Sequence, residues 1–394
     1  MEWVKLGDYF ETPITGEWGE NLDSGESGSP VIRTTNFTNE GKVNYDDIAL
    51  RKIDRSKKEN KLLKKGDIII EKSGGTPTTP VGRVVYFEGE ENRYFVNNFT
   101  AILRAKKKCN SKYLFYLLFY FHKVGLVLKY QNKTTGIINL KLKDYLKRTH
   151  VELPDSAEQE KIVKNLETLE ALIAKRREQI DALDALVDSV FYDLIFNESD
   201  EQIPLGELMS DFLAGKSLAG EKPSQFRVLK TSCVYSGYFD ENEWKFLPVD
   251  YKPKEEHIVK SGDILVSRMN TEELVGASAY VDKDYDDLAI PDRLWILRTN
   301  EGVSPVFLWN FFQTDLYRGL ISRIATGTSG SMKNISKKNF SQIQVPLPKM
   351  ELQNRFADYV TSIEAQKESL RTSLSELETL FDALMQAAFS GHLN

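Results

Sequence analysis

The strongest constraint on how this chain folds is that it is written twice. Val4-Lys5-Leu6-Gly7-Asp8-Tyr9-Phe10 recurs as Ile203-Pro204-Leu205-Gly206-Glu207-Leu208-Met209. Lys64-Lys65-Gly66-Asp67-Ile68-Ile69-Ile70 recurs as Lys260-Ser261-Gly262-Asp263-Ile264-Leu265-Val266. Ala101-Ile102-Leu103-Arg104 matches Trp295-Ile296-Leu297-Arg298, and Val151-Glu152-Leu153-Pro154 matches Val345-Pro346-Leu347-Pro348. The matches keep their order while their spacing drifts only from 199 to 194. Repetition in register at a fixed period implies two similar structural halves.

Each copy divides into two unlike parts. The first carries short β-rich runs bounded by Gly, Pro and Asn: Asp67 to Glu71, Gly82 to Phe87 and Phe99 to Arg104. A helix-like aromatic segment, Ser111 to Tyr120, follows and recurs as Ser304 to Phe312, with core packing as its expected role. Long strand–helix–strand spacing is lacking, which predicts an α+β globule with antiparallel or mixed strands. The second part is one long helix. In the first copy Ile162, Leu166, Leu169, Ile173, Ile180, Leu183, Val187, Val190 and Leu194 step by four and three, with Arg176 in the gap. In the second copy Phe356, Val360, Ile363, Leu370, Leu374, Leu377, Phe381, Leu384 and Ala388 do the same, with Lys367 in the gap. Pro154 and Pro348 break the chain before each helix, and Ser156 is the expected N-cap.

Apolar a and d positions over four or more heptads specify a coiled coil. Each rod of about 40 residues is roughly 60 Å long, and its narrow seam needs a partner. The expected partner is the other rod, run antiparallel, with Ile180, Leu183, Val187, Val190, Leu374, Leu377, Phe381 and Leu384 among the helix-pairing residues. The predicted domains are a globule at 1–153, a helical spacer at 154–200, a second globule at 201–347 and a second spacer at 348–394. An approximate two-fold axis would relate the copies. Two globules held apart in this way suit a target in two parts.

Charge supports a polyanionic target once it is taken by region. The net charge is −6, yet residues 1–150 hold 26 Lys+Arg against 18 Asp+Glu. Residues 151–200 hold 5 against 13, residues 201–349 hold 18 against 20, and residues 350–394 hold 3 against 7. The first globule is therefore basic and the helices are acidic. No stretch approaches the ~20 apolar residues of a membrane span, and the N-terminus lacks the pattern of a signal peptide. Two cysteines, Cys109 and Cys233, fit a reducing cytosol. A cytoplasmic protein with no membrane association is expected.

Catalytic patterns fail one by one. Ala214-Gly215-Lys216-Ser217 resembles the end of a phosphate-binding loop, but Ser210 stands where its first glycine belongs. His122, His150, His257 and His392 pair with no cysteine at metal-ligand spacing. Pro154-Asp155 has no Asp/Glu-x-Lys partner for a metal-dependent nuclease, and no Asn/Asp-Pro-Pro-Tyr/Phe tetrapeptide is present for adenine methylation. No catalytic residue, metal or cofactor is expected in the chain.

Three loop regions in each copy carry residue types that grip DNA. The first is Arg33-Thr34-Thr35-Asn36, with Lys230-Thr231-Ser232-Cys233 as counterpart. Arginine offers a fork to guanine, asparagine to adenine, and hydroxyls bind phosphates or base edges. The second runs from Glu71 to Pro80, with Lys72, Ser73, Thr76 and Thr78 as candidates, and its counterpart supplies Arg268 and Asn270. The third, Lys129 to Gly136 with Lys133, is matched by Arg323 to Gly330 with Arg323 and Thr328. Framework motifs repeat between copies while these loops differ, as reading heads for two different sequences would.

The plan of variable globule, Leu-Pro-x-x-x-x-Gln hinge and long helix, written twice, resembles the specificity subunit of type I restriction–modification systems. The resemblance spans the whole chain and is carried by Val151 to Val163 and by Val345-Pro346-Leu347-Pro348 with Gln353. Gly66-Asp67-Ile68 through Ser73-Gly74-Gly75-Thr76-Pro77 and Gly136-Ile137-Ile138-Asn139-Leu140 add to it. The second copy departs in having Leu352-Gln353 for Glu158-Gln159 and in lacking the Gly-Gly-Thr-Pro loop. The resemblance implies that each globule is a target-recognition domain reading half of a bipartite double-stranded DNA target. It also implies that the helices set the unread spacer and dock two methyltransferase subunits carrying S-adenosylmethionine. A motor-nuclease restriction subunit would join the same complex. Two other readings stand beside this one: an autonomous metal-dependent, sequence-specific endonuclease, and a coiled-coil adaptor that binds only proteins.

Overall fold

The computed structural model describes residues 3–76, 79–134, 137–197, 199, 201–327 and 332–392. Side chains at positions 133, 134, 195, 196 and 392 lie outside the description. The chain forms two compact units, Met1–Arg176 with Ser373–Asn394, and Arg177–Thr372. The division passes through both long helices, α1 (Ser156–Asn197) and α2 (Met350–Phe389), so each unit contains a globule and half of each helix.

In the first unit an antiparallel sheet runs in the order Ile14–Thr15, Thr100–Leu103, Ile68–Glu71, Val84–Tyr86. Its central strand is an unbroken apolar run because both faces are covered. Ile68 and Ile70 face the aromatic helix Ser111–Lys123, while Ile69 faces a second cluster with Ile32, Val85, Val96 and Ile102. A three-stranded mixed sheet, Ala49–Arg51, Ser29–Ile32 and Phe95–Val96, lies on that second side, its last pair parallel. The expected core role of the aromatic segment holds: Tyr113, Tyr116, Leu117 and Phe121 are fully buried.

The second unit repeats this plan strand for strand. Met209–Leu213, Leu294–Thr299, Ile264–Ser267 and Ser278–Tyr280 form the antiparallel sheet. Trp244–Phe246, Arg227–Leu229 and Leu288–Ala289 form the mixed one. The aromatic helix is Pro305–Phe311, capped by the Ser304 hydroxyl, which accepts the Phe307 N–H at 3.3 Å.

The four repeated motifs turn out to be two joints. Val4 pairs with Val151, and Ile203 with Val345, so the first and last motifs of each copy close its globule as an antiparallel pair. The middle motifs meet through a buried ion pair. Arg104 donates from Nε and Nη2 to Asp67 at 2.8 and 2.7 Å, and Arg298 donates to Asp263 at 2.8 and 3.3 Å. Both aspartates are 1% exposed and also accept a backbone N–H, from Lys64 and Lys260. Burial raises the Asp263 pKa, opposed by the Arg298 guanidinium and the Lys260 N–H. Removing one partner of such a pair costs about 3–5 kcal/mol, because the other charge is left buried alone. The glycine beside each aspartate, Gly66 and Gly262, has φ +89°, a left-handed turn that side chains disfavour.

The long helices pair antiparallel within each unit. In the first, Ile162, Val163 and Leu166 near the start of α1 share a cluster with Phe381, Leu384, Met385 and Phe389 near the end of α2. In the second, Leu183, Val187 and Phe191 late in α1 share a cluster with Phe356, Val360 and Ile363 early in α2. Ile180, Leu374 and Leu377 are half-buried, as seam positions of an exposed helix pair are. Val190 departs from expectation. It is 36% exposed, while Phe191 takes its place at 1% exposed, ringed by Phe307 at 5.1 Å and Phe356 at 5.2 Å. A straight helix of 3.6 residues per turn drifts against a strict 3.5 repeat, so the buried stripe slips by one position after Val187.

Two further expectations need correction. The seam is not reserved for the helices: Phe389 packs on Tyr113 and Tyr120 at 5.3 and 5.9 Å, so the aromatic helix of the globule is its third partner. Asp155, not Ser156, caps α1, its carboxylate accepting the Glu158 N–H at 2.9 Å. The Leu-Pro-x-x-x-x-Gln hinge has a direct physical basis. Gln159 and Gln353 each donate from Nε2 to the carbonyl of the proline five residues earlier, both at 2.8 Å, fixing the entry into the helix.

Candidate nucleic-acid interface

Lys72 and Arg268 occupy one place in the two copies. The Lys72 N–H donates to Phe99 and its carbonyl accepts from Leu140; the Arg268 N–H donates to Arg293 and its carbonyl accepts from Ile335. Each side chain is half-buried at the end of a central strand, with no carboxylate partner among the described residues. Burial, then repulsion from Lys61, lowers the Lys72 pKa. The Arg268 guanidinium lies 5.7 Å from the Trp295 ring, and its Nε is buried without a hydrogen-bond partner. A cation withdrawn from water and left without a counterion favours an incoming anion.

The second and third loops come together as sheet. In the first unit Ser73–Gly75, Ile137–Leu140 and Gln131–Thr134 form three strands, and the Ser73 hydroxyl bonds to the Asn139 carboxamide. Lys133 lies in the outer strand opposite Ile138. In the second unit Met269 pairs with Asn334 and Asn270 with Lys333. Arg323 is exposed in the last turn of the helix Asp315–Ile324. The Thr76 hydroxyl bonds to the Thr79 hydroxyl and accepts the Thr79 N–H at 3.1 Å. Thr78 and Thr328 lie outside the described residues, as does the Lys133 side chain.

The first loop is joined to the second by a different device in each unit. In the first, Arg83 grips the buried carboxylate of Glu71 with two bonds, at 2.9 and 3.1 Å, and donates a third, at 3.3 Å, to the carbonyl of Thr34. In the second, Tyr235 Oη meets Thr231 at 2.9 Å and accepts from Asn270 at 2.8 Å; Asn270 also donates to Ser267 at 3.2 Å. The register makes Ser267 the counterpart of Glu71 and Ala277 that of Arg83, so the ion pair is absent from the second copy. Sequence reading missed Arg83 and Tyr235, because nothing local marks a residue whose role is to bridge two loops. The alternation Glu71 against Ser267, on otherwise repeated strands, was the available signal.

Asn36 and Arg33 are placed otherwise than free reading residues would be. Asn36 is 3% exposed; its carbonyl accepts the Arg33 N–H at 2.9 Å and its amide donates to the Asp47 carbonyl at 2.8 Å. It shapes the loop. Arg33 is half-buried, with Nη2 held by the Asp47 carboxylate and carbonyl at 2.7 and 2.8 Å, and its Nε is buried without a partner. Lys230 is exposed and 3.5 Å from Glu243. Cys233, at the place of Asn36, is fully buried, and burial pushes its thiol pKa far up. Such a thiol is no nucleophile at neutral pH. No group of three His, Cys, Asp or Glu residues suits a metal ion among the described residues, and no helix there is long and apolar enough to cross a membrane.

The chain matches the model of the type I restriction modification DNA specificity domain twice, over residues 1–182 and 224–379. It is 24% identical over 397 residues to the type I restriction enzyme EcoKI specificity subunit of Escherichia coli, covering 92% of this chain and 82% of that one. It is 26% identical over 289 residues to the MjaVIII specificity subunit of Methanocaldococcus jannaschii, covering 68% and 67%. The crystal structure of the type I restriction–modification S subunit from M. genitalium aligns with a TM-score of 0.59 at 16% identity, over 99% of this chain and 96% of that one. That likeness extends the shared fold along nearly the whole length of both chains.

Proposed function

Because the chain belongs to the family of type I restriction–modification specificity subunits, we propose that it reads a split DNA sequence and performs no chemistry of its own. Residues 1–153 and 201–347 act as target-recognition domains, each reading one half. Residues 154–200 and 348–394 act as spacers that set the unread interval and dock two methyltransferase subunits supplying S-adenosylmethionine. Motor-nuclease restriction subunits join through that complex, and the setting is cytoplasmic. The observation that carries this reading is the double construction of one loop cluster. A single framework holds a cation with no carboxylate partner among the described residues, Lys72 or Arg268, in the same slot twice, and surrounds it with different polar side chains. Equal frames with unequal contents suit two unequal half-sites. Phosphate contacts fix position and base-edge contacts choose sequence. Arg33, Thr34, Lys72, Ser73, Thr76, Thr78 and Lys133 serve the first half-site. Lys230, Thr231, Arg268, Asn270, Arg323 and Thr328 serve the second, and Asn36 serves by holding its loop.

The test is DNA binding by the chain assembled with its methyltransferase subunits, on random duplexes and across a salt series. Sequence-selected binding whose affinity falls steeply as salt rises is expected, since each neutralised phosphate releases a counterion. Equal affinity for all sequences, or binding indifferent to salt, contradicts the reading.

A further inference from the structure

Phe99 and Arg293 are equivalent residues of opposite chemistry. Thr100 faces Glu71 in the first sheet and Leu294 faces Ser267 in the second, so the residue preceding each is the same position. The Phe99 carbonyl accepts the Lys72 N–H at 2.8 Å and the Ser73 N–H at 3.2 Å; the Arg293 carbonyl accepts the Arg268 N–H at 3.0 Å. Each therefore stands beside Lys72 or Arg268, the cation of its own unit. Both side chains are exposed, Phe99 to 45%. Both backbones are fixed. Thr100 closes the first turn by donating from its N–H and hydroxyl to the Asn97 carbonyl at 3.1 and 2.8 Å. In the second, the Asp292 N–H donates to the Ser217 hydroxyl at 3.3 Å, and that hydroxyl donates to the Asp292 carboxylate. Asp292 is thereby engaged with Ser217, and Arg293 has no carboxylate partner among the described residues. Arg293 also lines a cleft with Lys230, Thr231 and Lys245, which joins it to the first loop of its unit.

With the backbone already fixed, binding has only the side chain left to order, which limits the entropic cost of a selective contact. In the major groove, guanine presents two acceptors that fit a guanidinium fork, whereas thymine presents a methyl group that favours an apolar neighbour. We propose that this shared position is a base-reading element in both units: Arg293 forks onto a guanine, and Phe99 packs on a thymine methyl. Lys230 and Lys245 in the same cleft supply phosphate neutralisation, leaving Arg293 for the base edge. The proposal rests on the reading that each unit recognises one half-site.

The test determines the methylated motif made by the complete methyltransferase complex carrying the natural chain, Arg293→Ala, Arg293→Lys, Phe99→Ala or Phe99→Arg. Both Arg293 variants should relax selectivity at one base pair of one half-site by about tenfold or more, because lysine lacks the fork. Phe99→Ala should relax one pair of the other half-site, and Phe99→Arg should shift that pair away from thymine. In every case the remaining half stays unchanged. Uniformly weaker methylation with an unaltered motif would overturn the proposal, as would a fall in unfolding midpoint, which would assign the position a structural role. If the natural complex itself yields no split motif, the underlying reading of the two units has failed instead.

Discussion

Replacing Lys367 tests how the second globule is held on its helices. This lysine occupies the gap in the α2 seam, and its side chain is 0% exposed. Its ammonium donates to Asp184 of α1, to Glu364 one turn earlier on α2 at 2.7 Å, and to Tyr238 Oη of the globule at 2.6 Å. Tyr238 in turn packs on Trp309 with ring centroids 5.8 Å apart. Burial on its own would depress the Lys367 pKa, but the bonds to Asp184, Glu364 and Tyr238 outweigh it and raise the value above the ordinary lysine range. A basic group with a raised folded pKa gives stabilisation that is complete below its unfolded value and lost only as pH rises through the folded one. Its contribution is therefore constant across neutral pH and fades only in strong alkali. Truncation by Lys367→Ala leaves Asp184 without its ammonium partner and Glu364 with only Arg371, at 3.6 Å, and opens a cavity in the seam. Breaking a buried pair costs about 3–5 kcal/mol. The two carboxylates are 47% and 30% exposed and regain water, which lowers the expected loss to roughly 2–3 kcal/mol. Urea unfolding followed by tryptophan fluorescence reads this directly, since Trp309 adjoins the cluster. A Lys367/Asp184 double-mutant cycle should show a coupling of about 1 kcal/mol or more. An unchanged midpoint for Lys367→Ala, together with a negligible coupling, would refute the argument.

Three further outcomes are expected. Gly262→Ala should destabilise by about 1 kcal/mol through its left-handed φ alone, because a Cβ there meets nothing within 4 Å; an unfolding midpoint equal to that of the natural chain would contradict this. Burial raises the Glu170 pKa, against the opposing pull of Lys112, Lys42 and the Tyr116 hydroxyl and with added repulsion from Glu167. The native state therefore holds that proton more tightly than the unfolded one, and stability falls as pH rises from the ordinary glutamate range through the raised value. Glu170→Gln should flatten this slope in unfolding free energy measured against pH, and an unchanged slope would count against the assignment. Arg83→Ala should loosen the link between the first two reading loops without unfolding the unit. Amide hydrogen exchange of residues 33–37 should then accelerate, while that of residues 68–70 in the buried strand stays slow.

The sequence carried the architecture further than the details. The repeated motifs were legible because they are the two joints that any copy of this globule must preserve: a strand pair at its base and a buried Asp–Arg pair in its sheet. Pattern alone did not show that Gly-Asp-Ile and Ile-Leu-Arg touch each other, since they lie more than 30 residues apart and pair only in three dimensions. The heptads were equally legible, and they misled at Val190, where helical drift brings Phe191 inward, and at the end of α2, where Met385 and Phe389 are buried beside the half-buried Leu384 and Ala388. Residue type proved a weaker guide in the loops. Asn36 has the chemistry of an adenine reader, yet both ends of its amide are used by the loop itself, and short polar residues do this routinely at turns. Arg83 and Tyr235 were invisible because bridging two loops depends on where strand ends meet. Lys367 looked like a flaw in a seam, and its meaning emerged only with Asp184, Glu364 and Tyr238 around it.

The central claim is that two unlike reading heads on a repeated frame each select their own half of one DNA target. Sequencing methylated DNA made by the assembled complex, with the natural chain, Lys72→Ala and Arg268→Ala, addresses it most directly. A motif in two parts is predicted, with Lys72→Ala altering recognition of one part only and Arg268→Ala altering the other only. A continuous motif, or a single substitution that changes both parts together, would contradict the claim.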